Sequence, residues 1–428
     1  MSTEVLHVES SRELPLVTIM IGFRAGSVLD PPGKEGLTRL TARMLRRGTA
    51  HRNAEQIEND VDAMGADLGE YVGPSATTIS VDVIRRSFDR AVDLLCEILG
   101  EPSFDEQELG KLVRETIGSL IEARNSDRGL CVRAFRRTMY AGHPFGRRAA
   151  GFMHTLPTIV RADVVAQASR VLTRDNMIIA FAGDIDDATA LKAAERIRGV
   201  LPTSGGAERV VPEPFAPEGR HLVFVDKPDR TQTQVLIGCL GTAPTDEDHV
   251  ALSVAATVFG GTFSSRLMKE VRSKRGWSYG VAASLPVDVC RESFTVWSHP
   301  GVDDAAACIA LELKLLERWW HDGVTPRELA FTKRFLTRSH AFEIDTPAKR
   351  AQLAFSVSLY GWPQDYYTGY LERVASTTIE AANQAIRSRI DLERMVVAVA
   401  GTHATVGEAV RASIPGLRES KVVPHDEE

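Results

Sequence analysis

Two residues suited to handling a carbonyl oxygen, Arg272 and Tyr279, stand seven positions apart in the run Gly-Gly-Thr-Phe-Ser-Ser-Arg-Leu-Met-Lys-Glu-Val-Arg-Ser-Lys-Arg-Gly-Trp-Ser-Tyr-Gly over 260–280. A guanidinium is a permanent cation with a planar fork of donors, and a phenol is a neutral donor. Both suit an oxygen that gains negative charge during a reaction. The same run says how they would be held. Ser264 reads as the N-cap of a short helix ending at Lys274, Gly276 as its left-handed stop, and a strand opens near Ser278. Arg272 then falls in the last helical turn and Tyr279 at the start of the strand, where a sharp turn can set both on one side of a cleft. Position alone favours the plainer reading of a solvated helix-end cation beside a half-buried strand aromatic.

The pieces Gly-Gly-Thr-Phe-Ser-Ser-Arg-Leu, Glu-Val-Arg and Arg-Gly-Trp-Ser-Tyr-Gly together resemble the second-half signature of the pitrilysin/insulinase family of zinc peptidases. In that family an Arg and a Tyr at this spacing bind substrate and steady the tetrahedral intermediate. The resemblance therefore implies that Arg272 and Tyr279 are catalytic, and that Gly260, Gly261, Ser264 and Ser265 contact substrate. Near the N-terminus, Phe23-Arg24-Ala25-Gly26-Ser27 and Pro32-Gly33-Lys34-Glu35-Gly36 are similar to the same family. There the family carries an inverted zinc motif, His-x-x-Glu-His, on a helix, because residues four apart share a face and can grip one metal. This chain reads Leu37-Thr38-Arg39-Leu40-Thr41-Ala42-Arg43-Met44-Leu45 instead. The ligand positions are Arg39 and Arg43, and the base position is Ala42. Arginine offers no lone pair and alanine moves no proton, so no catalytic zinc is expected here. The family's third ligand, a helical glutamate, maps most simply onto Glu122, and a slip of register would put Leu120 there. If Glu122 holds that place, Arg39 and Arg43 substitute two fixed cations for the metal and a bidentate pair with Glu122 is expected.

No alternative metal motif presents itself. The closest two of the eleven histidines, His143 and His154, lie eleven apart, and no His-Glu-x-x-His or Cys-x-x-Cys occurs. The five cysteines, Cys96, Cys131, Cys239, Cys290 and Cys308, are odd in number and widely spaced, and they read as buried reduced thiols.

The elements that must position these residues come in two similar sets. Val17-Thr18-Ile19-Met20-Ile21-Gly22 is echoed by Thr233-Gln234-Val235-Leu236-Ile237-Gly238 at an offset of 216, and Met177–Gly183 by Met395–Gly401 at an offset of 218. Two matches with nearly equal offsets point to two copies of one unit. Their join lies in a loosened, proline-rich stretch, giving domains at 1–205 and 220–428 with a linker at 206–219. Strands such as Thr77–Val83, with Ile79, Val81 and Val83 alternating, are grouped with helices at Phe88–Leu99, Asp105–Arg124 (capped at Ser103), Arg161–Leu172, Ala188–Val200, Ala305–His321 and Pro326–Phe342. The fold class expected is α+β: two duplicated sandwich-like domains, helices on one face of a mainly antiparallel sheet. By the resemblance they form half of a clamshell.

At 428 residues the chain exceeds one ordinary core, while 43% hydrophobic and 25% charged residues describe a soluble globular protein. No run approaches eighteen apolar residues, so no membrane span is expected. A net charge of −6 gives no electrostatic footprint for nucleic acid. Without a basic segment followed by an apolar core at the N-terminus, the expected location is the cytoplasm, or the periplasm if a leader has been removed.

Some members of the family divide the work between two related chains, one supplying zinc and the other the Arg and Tyr. The reading that follows is a non-zinc subunit of a heterodimeric zinc endopeptidase, inactive alone, with no cofactor of its own. Its expected partners are a homologous subunit with an intact His-x-x-Glu-His, which holds the zinc, and a peptide substrate. The alternatives are an inactive scaffold or assembly protein of the same fold, and a peptide-binding homodimer working by strand addition.

Overall fold

The computed structural model describes residues 5–206 and 209–427, organised as two compact units. The first takes Met1–Leu120, Arg147–Val211 and His340–Gln364, and the second takes Ile121–Gly146, Pro212–Ser339 and Asp365–Glu428. The expectation of two contiguous domains is corrected by this division. The chain does cross from one unit to the other between Val211 and Pro212, inside the expected linker 206–219, of which residues 207 and 208 lie outside the described residues. Yet each half also lends a helical segment to the unit built mainly from the other half.

The first unit holds a sheet of β1 (Val5–Ser10), β2 (Leu16–Phe23), β3 (Asp67–Val72), β4 (Thr77–Ile84) and β5 (Met177–Gly183) in the order β1-β5-β2-β4-β3. Only β1 and β5 run parallel, and the remaining pairs are antiparallel. Along β4 the alternation legible in the sequence is realised, with Ile79, Val81 and Val83 buried. Along β2, alternate residues go to two different cores. Ile19, Ile21 and Phe23 pack with Leu40, Met44, Leu95 and Leu112 from the helix layer and with Phe181 of β5. Met20 packs on the opposite face with Ala351, Phe355 and Leu359 of the helix Pro347–Tyr360. A single helix thus covers the second face of the sheet, which is why β2 and β5 read as near-continuous apolar runs.

The second unit repeats the plan with β6 (Arg220–Asp226), β7 (Gln234–Leu240), β8 (Val281–Ser284), β9 (Ser293–Ser298), β10 (Val396–Gly401) and β11 (Leu417–Pro424), ordered β11-β6-β10-β7-β9-β8. β6 and β10 are parallel, as β1 and β5 are, and β11 is an added edge strand. The register matches too: Gly22 faces Ile178 in the first sheet and Gly238 faces Val396 in the second. At both glycines a helix comes close. A Cβ on Gly22 would lie 2.6 Å from the Phe355 ring, and one on Gly238 would lie 2.9 Å from the ring of Phe135 on the helix Asp127–Met139. The duplicated chain is therefore a duplicated architecture, with helix packing on glycine preserved in both copies.

The helices of the layered faces follow their apolar periodicity, with small changes at their ends. The helix Glu106–Glu122 is capped by Asp105, whose Oδ1 accepts from the backbone N–H of Gln107 and Glu108 at 2.8 and 3.0 Å, rather than by Ser103. Trp319 of the helix Ala305–Asp322 is fully buried and stacks on Phe259 and Phe294 at 4.8 and 5.5 Å, so it serves the core.

Candidate functional site

The 260–280 run folds into two short π-helical segments, Thr257–Gly261 and Met268–Ser273, joined by a turn. A π-helical turn widens the spiral by one residue, shown here by the bond from Lys274 N–H to Lys269 O at 3.0 Å, and such widening recurs where a side chain must be re-aimed. The cap is Ser265, not Ser264: its Oγ accepts from Met268 N–H at 3.4 Å and the residue is buried. Gly276 closes the segment with a left-handed φ of 68°, as its sequence position implies, and β8 opens at Val281 rather than Ser278.

This geometry brings Arg272 and Tyr279 together. The guanidinium carbon of Arg272 lies 4.3 Å from the Tyr279 ring centroid and 4.5 Å from that of Phe263, so the cation is sandwiched between two aromatic faces. Both rings are open to solvent, Tyr279 at 77% and Phe263 at 70% exposure. Three neighbouring cations are committed elsewhere. Arg266 forms a two-pronged pair with Glu328, both contacts at 2.7 Å, and Lys274 and Arg275 share Glu270. Burial alone would raise the Glu328 carboxyl, but the donors of Arg266 and Thr325 outweigh it and hold it at about 2. Arg272 has no carboxylate partner among the described residues, so its N–H edge remains available to a ligand.

The start of β8 is fixed from behind. Buried Ser278 donates through Oγ to Gly280 O at 2.6 Å and accepts from His299 N–H at 3.0 Å, while Gly280 N–H donates to His299 Nε2 at 3.2 Å. Burial lowers the His299 pKa, keeping the ring neutral so that Nε2 retains the lone pair this bond needs. Tyr279 therefore projects outward from a backbone held on both sides.

The four expected substrate contacts separate. Gly260 is buried against β8, where a Cβ would lie 2.3 Å from Ala283 N, and Ser265 is spent on the cap. Gly261 and Ser264 are exposed. Phe263, Ser278 and His299 escaped the sequence reading. Phe263 had one signal, an aromatic flanked by small polar residues where an apolar core contact has no periodicity to join.

In the first unit, the helix Leu37–Met44 begins at Gly36, with φ of 99°, and is capped by buried Asp30, which accepts from Gly36 N–H at 2.9 Å and Thr38 N–H at 2.8 Å. Burial, against these donors, raises the Asp30 carboxyl to about 6. Arg39 and Arg43 are half-buried one turn apart, and Ala42 is buried. Arg43 Nη1 donates to Thr116 Oγ1 at 3.0 Å, and its nearest carboxylates are Glu115 at 3.9 Å and Glu70 at 4.0 Å. The pairing expected with Glu122 is corrected by these partners. Glu122 is exposed, whereas Thr116, the partner of Arg43, and Leu120, four residues on, are buried on the same helix. Leu120, the alternative register, is buried in the core and offers no ligand atom.

Among the described residues no group of three or more His, Cys, Asp or Glu is placed to hold a metal. The family's zinc does not fit the donor set at Arg39, Ala42 and Arg43, and no chemistry on this chain is routed through it. The cysteines are all free thiols, four of them buried.

Comparison with known proteins finds relatives along most of the chain. A model of the insulinase family, peptidase family M16, matches residues 6–151, and a model of the peptidase M16 inactive domain matches residues 158–336. An uncharacterized zinc protease of Rickettsia bellii is 26% identical over 299 residues, 70% of this chain and 71% of that one. A Helicobacter pylori protein named as a non-peptidase homolog is 21% identical over 392 residues, 91% of this chain and 90% of its own. Among solved structures, a peptidase M16 inactive domain from Pseudomonas fluorescens superposes with a TM-score of 0.85 at 24% identity, covering 92% of this chain and 95% of that one. With both family models matched in turn along the chain, the protein belongs to the pitrilysin/insulinase (M16) peptidase family.

Proposed function

We propose that this chain is the non-zinc subunit of a two-chain zinc endopeptidase, contributing Arg272 and Tyr279 to a site whose metal is held by a homologous chain with an intact His-x-x-Glu-His. The observation that carries the reading is the Arg272 stack: a half-buried guanidinium held between the exposed rings of Phe263 and Tyr279, without a carboxylate partner among the described residues. In this reading Tyr279 donates a hydrogen bond to the substrate carbonyl oxygen as it gains charge, and Arg272 donates to a neighbouring substrate carbonyl. The match to an inactive-domain model and the relative named as a non-peptidase homolog support loss of self-sufficient catalysis. Among the described residues no helix is long and apolar enough to cross a membrane. The free thiols, four of them buried, support placing the complex in a reducing compartment such as the cytoplasm.

The test mixes this chain with a homologous chain carrying the intact motif and follows cleavage of a quenched peptide, with and without a chelator. Each chain alone is expected to be inactive and the mixture active. Tyr279→Phe should lower turnover by about 10²–10³ with affinity between the chains unchanged. Unchanged turnover removes the catalytic assignment. Association without any cleavage would favour the scaffold reading instead.

A further inference from the structure

The charges around the degenerate motif are unevenly spent. Arg46 takes Glu58 in a two-pronged pair and also reaches Glu70 at 3.4 Å. Arg47 takes both oxygens of Glu115, and Lys111 takes Glu108. Arg43 is left with carboxylates only at 3.9–4.0 Å, beyond hydrogen-bond length, and with one bond to the Thr116 hydroxyl, which itself donates to Leu112 O. Arg39, one turn away, has no hydrogen bond or ion pair among the described residues. The cluster thus holds five cations, Arg39, Arg43, Arg46, Arg47 and Lys111, against four carboxylates, Glu58, Glu70, Glu108 and Glu115, with the surplus charge on the Arg39–Arg43 face.

We propose that Arg39 and Arg43 form a binding site for one carboxylate of a peptide ligand, either its C-terminal group or an acidic side chain. The backbone positions i and i+4 stand about 6 Å apart along the helix axis, a span across which the planar forks of two long, flexible side chains can reach one carboxylate. Arg43 is already oriented by Thr116 and partly withdrawn from water, with its side chain 24% exposed, so an anion meets a preset donor. Placing two like charges this close also lowers the Arg43 pKa, burial being the larger cause and Arg39 the next, and a bound anion relieves that repulsion. A monoanion fits better than a phosphate dianion, because the surplus is one charge and Glu70 and Glu115 flank the site. Only the choice of a peptide as the ligand rests on the proposed function, and the test below needs neither partner nor turnover, so the two can fail separately.

The full-length chain is titrated against three fluorescent tetra-alanine probes, followed by anisotropy: one with a free C-terminal carboxylate, one amidated, and one amidated with an internal Glu. The free acid should bind about tenfold tighter than the plain amide. Arg39→Met and Arg43→Met should each erase that preference, while Arg43→Lys keeps part of it. Melting curves of the variants check that they fold. If the internal-Glu amide binds as well as the free acid, an acidic side chain is the source; if it binds as weakly as the plain amide, the source is the chain terminus. Equal binding of acid and amide by the unaltered chain overturns the site. So does an acid preference that survives in the folded double variant. Displacement of the free-acid probe from the unaltered chain by inorganic phosphate at lower concentration than acetate overturns the assignment to a monocarboxylate.

Discussion

At Arg272, local sequence and final geometry agree on the pair and differ on the third member. A left-handed Gly276 and a seven-residue separation are enough to bring Arg272 and Tyr279 to one place, so that contact was legible from residue types. Phe263 lies nine residues before Arg272 beyond a turn, and nothing in the periodicity ties an exposed ring to a cation. The stack explains what the ring does: a cation–π contact at an exposed site is worth about 0.5–1 kcal/mol, too little to hold the fold but enough to limit the rotamers of one arginine. Phe263→Ala should therefore leave the melting temperature nearly unchanged, because the residue is already 70% exposed to water. In the two-chain mixture it should raise KM more than it lowers kcat, since Arg272 loses its preset orientation while the Tyr279 donor remains. A large loss of thermal stability would show that Phe263 is a packing residue, and unaltered KM would show that the stack orients nothing.

The segment carrying this pair is anchored by pairings that no short-range pattern announces. Arg266 reaches Glu328 at the start of the helix Pro326–Ser339, 62 positions away, and the same carboxylate accepts from Thr325 N–H at 2.9 Å as a cap. Helix positions were readable from apolar spacing, but which carboxylate an arginine selects depends on tertiary placement. The Glu328 carboxyl is depressed to about 2 against an ordinary 4.5, so its contribution to stability is present above pH 4.5 and is lost as pH falls toward 2. Glu328→Gln should accordingly be less stable than the parent chain at pH 6. The gap should be modest, since the group keeps partial access to water, and it should narrow when denaturation is repeated at pH 3. A gap that stays constant between the two pH values would mean that packing or the neutral cap, rather than the ion pair, accounts for it.

Across the whole molecule, duplication was legible because offsets of 216 and 218 preserve strand order and register, whereas the exchange of helices between units was not. The amphipathic patterns of Asp127–Met139 and Pro347–Tyr360 say that each has an apolar face, but an apolar face does not specify which of two similar sheets it covers. Gly22 and Gly238 mark the answer in the two copies, and they are not equivalent in energy. A Cβ at Gly22 meets the ends of flexible side chains, Phe355 at 2.6 Å and Leu359 at 2.9 Å. One at Gly238 meets backbone, Phe294 O at 2.3 Å, before it reaches Phe135. Rotamer shifts can relieve the first clash, but only movement of β9 relieves the second, so overpacking should approach the upper part of the usual 1–3 kcal/mol at Gly238 and the lower part at Gly22. Gly238→Ala is thus expected to lower the denaturant midpoint of its own unit more than Gly22→Ala lowers that of the first unit, each read by a probe confined to one unit because two units need not unfold together. The reverse order would show that the helix Pro347–Tyr360 is packed less adaptably than its counterpart, and that the two copies have diverged in how tightly a helix is held on its sheet.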